Sequence, residues 1–263
     1  MENTYWQKQS STKPLFPDVE WSKPQQRSKA GKLGIIGGNK LGFIAASEAY
    51  QTALGVGIGE AKVLLPASLK KTFFKHTQDM VFADDNQSGG LSKDAFSEMQ
   101  AMGEWADGIL LIGDAGKNSE TAVLYERFIH EYEGPLTITR DAVDLLKNNA
   151  QTLIERPQTL LILSFAQVQK LFQSVYYPKV LTFSMQLTRL VEALHKFTIT
   201  YPACTAVFHD ENLVISHQGM VVTQQFSDPM PIWRGSVATR AAVYWSWNPE
   251  KPLESATASL LDV

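Results

Sequence analysis

Three short loops in this sequence of 263 residues combine glycine with small or polar residues, a composition that suits ligand binding. They are Gly37-Gly38-Asn39, Gly113-Asp114-Ala115-Gly116 and Gly235-Ser236-Val237-Ala238. Glycine lets a backbone approach a ligand closely, and the amides at the start of a helix can bind an anion. The first loop matches neither a Walker A loop nor a Gly-x-Gly-x-x-Gly fingerprint. Each loop therefore predicts either a ligand contact or plain close packing, and the spacing leaves both open.

Acid-base chemistry would need a titratable group at the end of a strand, and few are present. The candidates are Asp114, Asp141, His209 and Asp228. Ser236 is not part of a Gly-x-Ser-x-Gly elbow, so no hydrolase triad is predicted. The sequence contains no Cys-x-x-Cys or His-Glu-x-x-His spacing, and no metal site is predicted from its five scattered histidines, which are His76, His130, His195, His209 and His217.

The elements that would position these groups alternate along the chain. Short apolar runs, typical of buried parallel strands, occupy residues 33–36, 61–65, 108–112, 136–139 and 160–163. Longer amphipathic runs between them predict helices over residues 45–56, 93–105, 119–131 and 178–196.

The last third of the chain changes character. Residues 203–209 and 213–216 flank an Asp-Glu-Asn turn, which predicts a hairpin, and a third run follows at 220–223. Helical patterns then cover residues 234–247 and the segment from about Leu253. The expected fold is α/β, a three-layer αβα domain whose mostly parallel central sheet carries a late antiparallel hairpin. In such sheets ligands bind beyond the carboxyl ends of the strands, and the loops at 37–39 and 113–116 follow strands.

Residues 1–30 are polar, contain three prolines and show no helix or strand period, so they predict an N-terminal arm before a domain of residues 31–263. Free tails are poor in aromatic residues. We therefore expect this arm to lie against the domain or a neighbouring subunit, with a disordered tail as the alternative. The apolar residues that support packing are Trp6, Leu15, Phe16 and Trp21.

The composition limits the partners. A formal net charge of −3 offers no basic surface for a nucleic acid, so a small-molecule ligand is expected instead. Cys204 is the only cysteine, which excludes an intrachain disulfide. The chain has no apolar run long enough for a membrane span and no secretory signal, so we expect a cytoplasmic protein. A homo-oligomer is compatible with these features.

Taken in order, the loops resemble those of the ribokinase-like ATP- or ADP-dependent NAD(P)H-hydrate dehydratases, and the resemblance covers roughly residues 32–263. The first loop and its helix, closed by Gly57-Ile-Gly59, are similar to the family's Gly-Gly-Ser turn and Gly-Ala-rich helix. Ile112 to Gly116 resembles its Ile-Gly-Pro-Gly-Leu-Gly loop, and Thr139 to Leu146 resembles its Asp-Ala-Asp-Ala-Leu segment, with Asp141 at the second aspartate. The resemblance implies a ribokinase-like fold, and ATP or ADP with Mg²⁺ as cofactors for dehydrating a hydrated nicotinamide cofactor.

The sequence departs from this family where the chemistry would be. The family's catalytic aspartate ends a Gly-Thr-Gly-Asp motif, and Ala238 stands at that position. Ser164 and Gln167 stand where the family has His and Glu, and Thr205 alone remains of its Lys-Gly-x-x-Thr loop. Loss of a catalytic base typically removes about 10² to 10⁴ in rate. Impaired catalysis is therefore expected, with Asp228 and Asp114 as fallback carboxylates.

The resemblance also implies which residues bind ligands. On the substrate side they are Gly37, Gly38, Asn39, Ala46, Gly113, Asp114, Gly116, Asp141 and Ser164. On the nucleotide side they are Thr205, Gly235, Ser236 and Val237. Three functions remain open: a nucleotide- or partner-binding protein with lost or impaired catalysis, an active dehydratase with a relocated carboxylate, and a small-molecule kinase.

Overall fold

The computed structural model describes residues 4–72 and 78–261. The strands of this described part are β1 (Trp6–Gln9), β2 (Lys32–Gly37), β3 (Glu60–Pro66), β4 (Met80–Ala83), β5 (Gly108–Gly113), β6 (Leu136–Thr139), β7 (Thr159–Leu163), β8 (Cys204–His209), β9 (Asn212–His217) and β10 (Met220–Gln225). Its α-helices are α1 (Pro17–Trp21), α2 (Ile44–Val56), α3 (Phe96–Trp105), α4 (Ser119–Glu131), α5 (Asp141–Leu145), α6 (Ala150–Glu155), α7 (Phe165–Ser174), α8 (Leu187–Thr200), α9 (Met230–Arg234), α10 (Ser236–Trp247) and α11 (Pro252–Ala258).

The strands form one sheet in the order β1-β10-β9-β8-β7-β6-β5-β2-β3-β4. Every neighbouring pair from β8 to β4 is parallel, whereas β9 pairs antiparallel with both β8 and β10. All residues of β5 and β7 are buried, as a sheet covered on both faces requires. The expected α/β fold with a late antiparallel hairpin is confirmed.

Two apolar cores, one on each face of the sheet, produce the three layers. Helices α2, α10 and α11 pack on one face, where the largest fully buried side chain is that of Trp245. Helices α3, α4, α7 and α8 pack on the other face, around Tyr125 and Phe128. Because helices cover both faces of the sheet, only the ends of the parallel strands are exposed. A ligand can therefore reach the sheet at the loops that follow the strand ends.

The five predicted core strands are confirmed to within one residue at each end, and the predicted helix over residues 119–131 is α4. The helix predicted over residues 178–196 is wrong in its first half, because α8 begins only at Leu187. Val180 and Phe183, which fit the apolar stripe by spacing, are 81% and 67% exposed. Phe183 instead packs its ring against Phe165 at a centroid distance of 4.9 Å. The helical spacing before Leu187 was therefore a coincidence in an irregular segment, whereas Leu190, Val191 and Leu194 of the same predicted helix are buried in α8.

The N-terminal arm contains regular structure that its sequence did not indicate. β1 pairs in parallel with β10, and the Trp6 indole N–H donates to Thr223 Oγ1 at 3.0 Å. Gln9 is buried and donates through Nε2 to the Thr257 carbonyl at 2.7 Å. The strand has only four residues and its partner lies more than 200 positions away, so no local period marks it. The division into an arm of residues 1–30 and a domain of residues 31–263 stays a prediction.

Across the residues that the structure describes, no helix combines the length and the apolar character needed to cross a membrane.

Candidate functional site

The carboxyl ends of the central strands surround a cleft of about 340 Å³, here named the strand-end cleft. The loops after β5, β6 and β7 and the short helix α9 supply its walls. Its lining residues are Asp114, Thr139, Arg140, Asp141, Asp144, Ile162, Ser164, Gln167, Ile232 and Trp233.

The first two glycine loops pack directly on one another beside this cleft. The Gly38 amide donates to the Gly113 carbonyl at 2.8 Å. A Cβ added at Gly37 would lie 2.4 Å from the same carbonyl oxygen, so only glycine fits there. Gly113 has a φ of +91°, and a Cβ on it would lie 2.3 Å from an Asp141 carboxylate oxygen. Close packing between loops therefore accounts for both glycines, and a direct ligand contact by either stays a prediction.

Asp114 joins three segments through its own atoms. Its Oδ2 accepts from the Ala45 amide at 3.0 Å, and its Oδ1 forms an ion pair with Arg140. Its backbone carbonyl accepts from Asn39 Nδ2 at 2.5 Å. Ala45 is in the first turn of α2, a helix whose N-cap side chain makes no capping hydrogen bond. Asp114 thus places a negative charge at the amino end of α2, where the helix dipole favours it.

Asp141 holds the Asp114 loop in place. Its two carboxylate oxygens accept from the Asp114 amide at 2.7 Å and the Gly116 amide at 3.1 Å. Burial raises the pKa of Asp141 above its ordinary value, while these amide donors lower it and only partly offset the burial. Both predicted substrate-side carboxylates are therefore bonded to protein groups.

Ser164 and Gln167, which align with the family's His and Glu, form a capping box at the start of α7. Ser164 Oγ accepts from the Gln167 amide at 3.3 Å, and Gln167 Oε1 accepts from the Ser164 amide at 3.0 Å. Gln167 Nε2 also donates to the Arg140 carbonyl at 2.7 Å. The Ser-x-x-Gln spacing is the sequence signal for such a cap. It could therefore have indicated the start of α7, a helix that was not predicted from the sequence. A ligand contact by Ser164 stays a prediction.

Arg140 was not among the predicted site residues, yet its side chain crosses the strand-end cleft. Nη1 donates to the Trp233 carbonyl in α9 at 2.8 Å, and Nη2 pairs with Asp114. Its Nε is buried without a hydrogen-bond partner. The backbone at Arg140 has φ 58° and ψ −141°, a region that is almost restricted to glycine and costs about 1–3 kcal/mol for other residues. Neighbouring contacts must therefore hold this residue in place.

The start of α10 contains no carboxylate. Val237 and Ala238 are fully buried in the core, and the first turn of the helix carries no acidic residue. Ser236 Oγ donates to the Pro231 carbonyl at 3.0 Å. Gly235 has a φ of +91°, and a Cβ on it would lie 2.5 Å from Ile112 Cδ1. The third glycine loop is thus pressed against the end of β5.

The remaining predicted residues lie elsewhere. Thr205 is fully buried near the amino end of β8, where its hydroxyl bonds to that of Ser216 at 2.7 Å, so it is not brought to the strand-end cleft. Ala46 is buried in α2. Asp228 is exposed and accepts from the Met230 amide at 2.9 Å. Together with Ser236 it lines a second cleft of about 420 Å³ between α2 and α9, here named the α2–α9 cleft.

Within residues 4–72 and 78–261, no group of three His, Cys, Asp or Glu side chains is arranged to hold a metal ion. His209 Nε2 is 2.7 Å from the Met185 carbonyl, and His76 lies outside the described residues. Because Asp114 and Asp141 are bonded within the protein, these residues do not fit a Mg²⁺ site.

Comparisons with known proteins show what the chain is similar to. No protein-family model matches the chain. The bifunctional NAD(P)H-hydrate repair enzyme of Methanothermobacter thermautotrophicus is 27% identical over 123 residues, which are 46% of this chain and 24% of that enzyme. The match therefore spans about a quarter of the length of that curated relative.

Solved structures agree on the fold. A ribokinase-like superfamily protein from Enterococcus faecalis V583 superposes with a TM-score of 0.70 at 14% identity, covering 99% of this chain and 87% of that one. An ADP/ATP-dependent NAD(P)H-hydrate dehydratase from Bacillus subtilis, co-crystallised with ATP/Mg²⁺, gives 0.62 at 9% identity over 94% and 84%. The chain has the ribokinase-like fold, as the sequence resemblance implied.

Proposed function

We propose that this protein binds a nucleotide or nucleotide-like ligand and has lost, or retains only weakly, the dehydratase chemistry of its relatives. One observation carries the proposal. The first turn of α10 has no acidic residue, and Ala238, at the position predicted for the catalytic aspartate, is fully buried. An alanine methyl group can neither accept a proton nor orient a hydroxyl group.

The carboxylates near the strand-end cleft are poor replacements for a general base. Asp114 is paired with Arg140 and also accepts from the first turn of α2, so both of its carboxylate oxygens already bond to the protein. Each of the two Asp141 oxygens accepts a backbone amide of the loop after β5. Proton transfer at either carboxylate would therefore compete with hydrogen bonds that hold the surrounding structure in place.

Features that support ligand binding are retained beside this loss. The start of α10 borders the α2–α9 cleft through Ser236, and the positive dipole end of a helix attracts phosphate groups. Arg234 and Ser236 line the α2–α9 cleft next to it. Relatives of the same fold include an enzyme co-crystallised with ATP/Mg²⁺. On this basis we propose ATP or ADP as the ligand class. We also propose a cytoplasmic location, and the formation of a homo-oligomer stays a prediction.

A melting-temperature screen against ATP, ADP, AMP, NADH and NADPH, followed by a turnover assay with hydrated NADH, tests the proposal. A ligand at 100 times its Kd stabilises the native state by about 2.7 kcal/mol, so at least one nucleotide is expected to raise the melting temperature by roughly 5–10 °C. With ATP or ADP, hydrated NADH should be consumed slowly or not at all. Turnover at about 1–10³ per second, the usual range of an active enzyme, would refute the impaired catalysis. If no nucleotide shifts the melting temperature, the ligand-binding function fails and a protein-interaction role is favoured.

A second candidate is an active ATP/ADP-dependent dehydratase or a small-molecule kinase that uses Asp228. The observation in its favour is that Asp228 and Ser236 line the same cleft at the start of α10. In that case Asp228→Ala should lower turnover by about 10² or more, as expected for a lost general base. Asp85→Ala, which removes another exposed carboxylate from a loop after β4, is the control and should leave turnover unchanged.

A further inference from the structure

We propose that Arg140 is an autoinhibitory latch of the strand-end cleft. By binding both Asp114 and the Trp233 carbonyl, it holds α9 across the cleft, and an anionic group of a ligand opens the latch by replacing the Asp114 carboxylate. The inference rests on the proposed function, because it requires a ligand to enter this cleft.

The contacts of the guanidinium define the latch. One nitrogen pairs with the loop after β5 and another donates to α9 at 2.8 Å, so a single side chain connects two walls of the cleft. The side chains of Arg140 and Asp114 are 25% and 19% exposed. The ion pair is therefore buried enough to be stronger than a surface ion pair, yet exposed enough for a ligand to reach it.

The backbone at both partners supports a dedicated role for this contact. Arg140 has a φ of 58° and Asp114 a φ of 54°, and residues other than glycine adopt such angles rarely. Gln167 donates to the Arg140 carbonyl at 2.7 Å and Asp141 accepts from the Asp114 amide at 2.7 Å, so a hydrogen bond holds each of the two loops in place. These bonds orient the two charged side chains toward each other across the cleft.

The chemistry of arginine indicates what opens the latch. A guanidinium presents a planar fork of donors that matches two oxygens of a phosphate or a carboxylate. In the latched state Arg140 Nε is buried without a partner, so the fork is only partly used. A phosphate group that takes Nε and Nη2 together uses the fork more fully than Asp114 does. Asp114 then keeps its bond from the Ala45 amide.

Hydrogen exchange in the ligand-free protein gives the first test. In Asp114→Asn and in Arg140→Gln, the amides of residues 230–236 should exchange about tenfold faster than in the unchanged protein, because a charged hydrogen bond to α9 or its anchor is lost. The double variant should exchange no faster than Arg140→Gln. The control is Lys170→Gln, which breaks the exposed ion pair of Lys170 with Asp144 and should leave this exchange unchanged.

Binding of ATP, ADP and inorganic phosphate, measured by calorimetry, gives the second test. Asp114→Asn frees Arg140 from its closing partner and should tighten binding about threefold to tenfold, since the apparent affinity rises with the open population. Arg140→Gln removes the group that takes the anion and should weaken binding. A residue with only a structural role would weaken binding in both variants. Arg140→Lys, which keeps the charge without the planar fork, should bind more weakly than the unchanged protein.

The outcomes separate the latch from the proposed function. Unchanged exchange at residues 230–236 in both single variants would overturn the latch. If exchange is faster in both variants but Asp114→Asn does not tighten nucleotide binding, the idea that an anion opens the latch is overturned. Faster exchange with no binding of ATP, ADP or inorganic phosphate to any variant would retain the contact to α9, but would refute its opening by an anion and the proposed ligand class.

Discussion

At Asp141, burial and hydrogen bonding act on one carboxylate in opposite directions. Burial, the larger effect, disfavours the charged form, whereas two backbone amides favour it, and the net result is a raised pKa. An aspartate with a raised pKa in the folded state binds protons more readily there than in the unfolded chain. Its contribution to stability is therefore present at acid pH and is lost as pH rises through the folded-state pKa.

Asp141→Asn removes this titration and keeps one acceptor oxygen. We expect the free energy of unfolding of the unchanged protein, relative to this variant, to fall as pH rises from below 3.8 through the raised pKa of Asp141. Urea unfolding of both proteins over that range measures the difference. Asp18→Asn is a control of opposite sign, because a hydrogen bond from Lys251 lowers the pKa of Asp18. A difference for Asp141→Asn that does not depend on pH would contradict the prediction.

Sequence patterns located Asp114 and Asp141 at the site but not Arg140. All three follow strand ends, which a single sequence can reveal, but only the two carboxylates were taken as candidates for acid-base chemistry. The position of Arg140 depends on a left-handed backbone and on partners 26 and 93 residues away, and no local pattern encodes either. The same limit applies to Thr205, whose match to a motif carried no information on its burial inside β8.

Among the elements, the edge strand β1 depends on Gln9. Its side chain is buried and donates at 2.7 Å both to Gln224 Oε1 in β10 and to the Thr257 carbonyl in α11. Gln9→Ala removes both bonds and also the Oε1 acceptor of the Leu15 amide, so we expect a loss of about 1–3 kcal/mol in the free energy of unfolding. Gln7→Ala, an exposed position in the same strand, should change it by less than about 0.5 kcal/mol.

Chemical denaturation of the two variants decides the point, and hydrogen exchange of the β10 amides locates the effect. Equal midpoints for Gln9→Ala and Gln7→Ala would show that β1 contributes little to the sheet.

The elements predicted best from sequence are those whose burial is complete. The strands in the centre of the sheet, β2, β5, β6 and β7, are short apolar runs, because both of their faces are covered. The helix prediction failed over residues 178–186 because apolar residues occur there at helical spacing although no helix forms. Helix α7 was missed because Ser164 and Gln167 were assigned to a binding motif, although together they are a helix start.

On the scale of the whole molecule, the beginning and end of the described chain are joined. Lys251 Nζ lies 2.6 Å from Asp18, and the Trp247 indole donates to the Ala30 carbonyl at 2.8 Å. Ser22 donates to Asn248 at 2.9 Å. The expectation that the arm packs on the domain came from its aromatic residues, yet Trp21 is 84% exposed and the buried residue of α1 is Val19. Composition therefore indicated that the arm packs but misidentified part of the contact.

This pair of residues in α1 provides a test of how far the arm belongs to the folded unit. Val19 is fully buried in the core formed by α2, α10 and α11, two positions from the exposed Trp21. Val19→Asp should lower the free energy of unfolding by about 2–4 kcal/mol, since it removes a buried apolar side chain and introduces a charge. Trp21→Asp, the same new charge on the same helix, should change it by less than about 1 kcal/mol. Urea unfolding measures both, and two unchanged midpoints would mean that the arm behaves as a detached tail in solution.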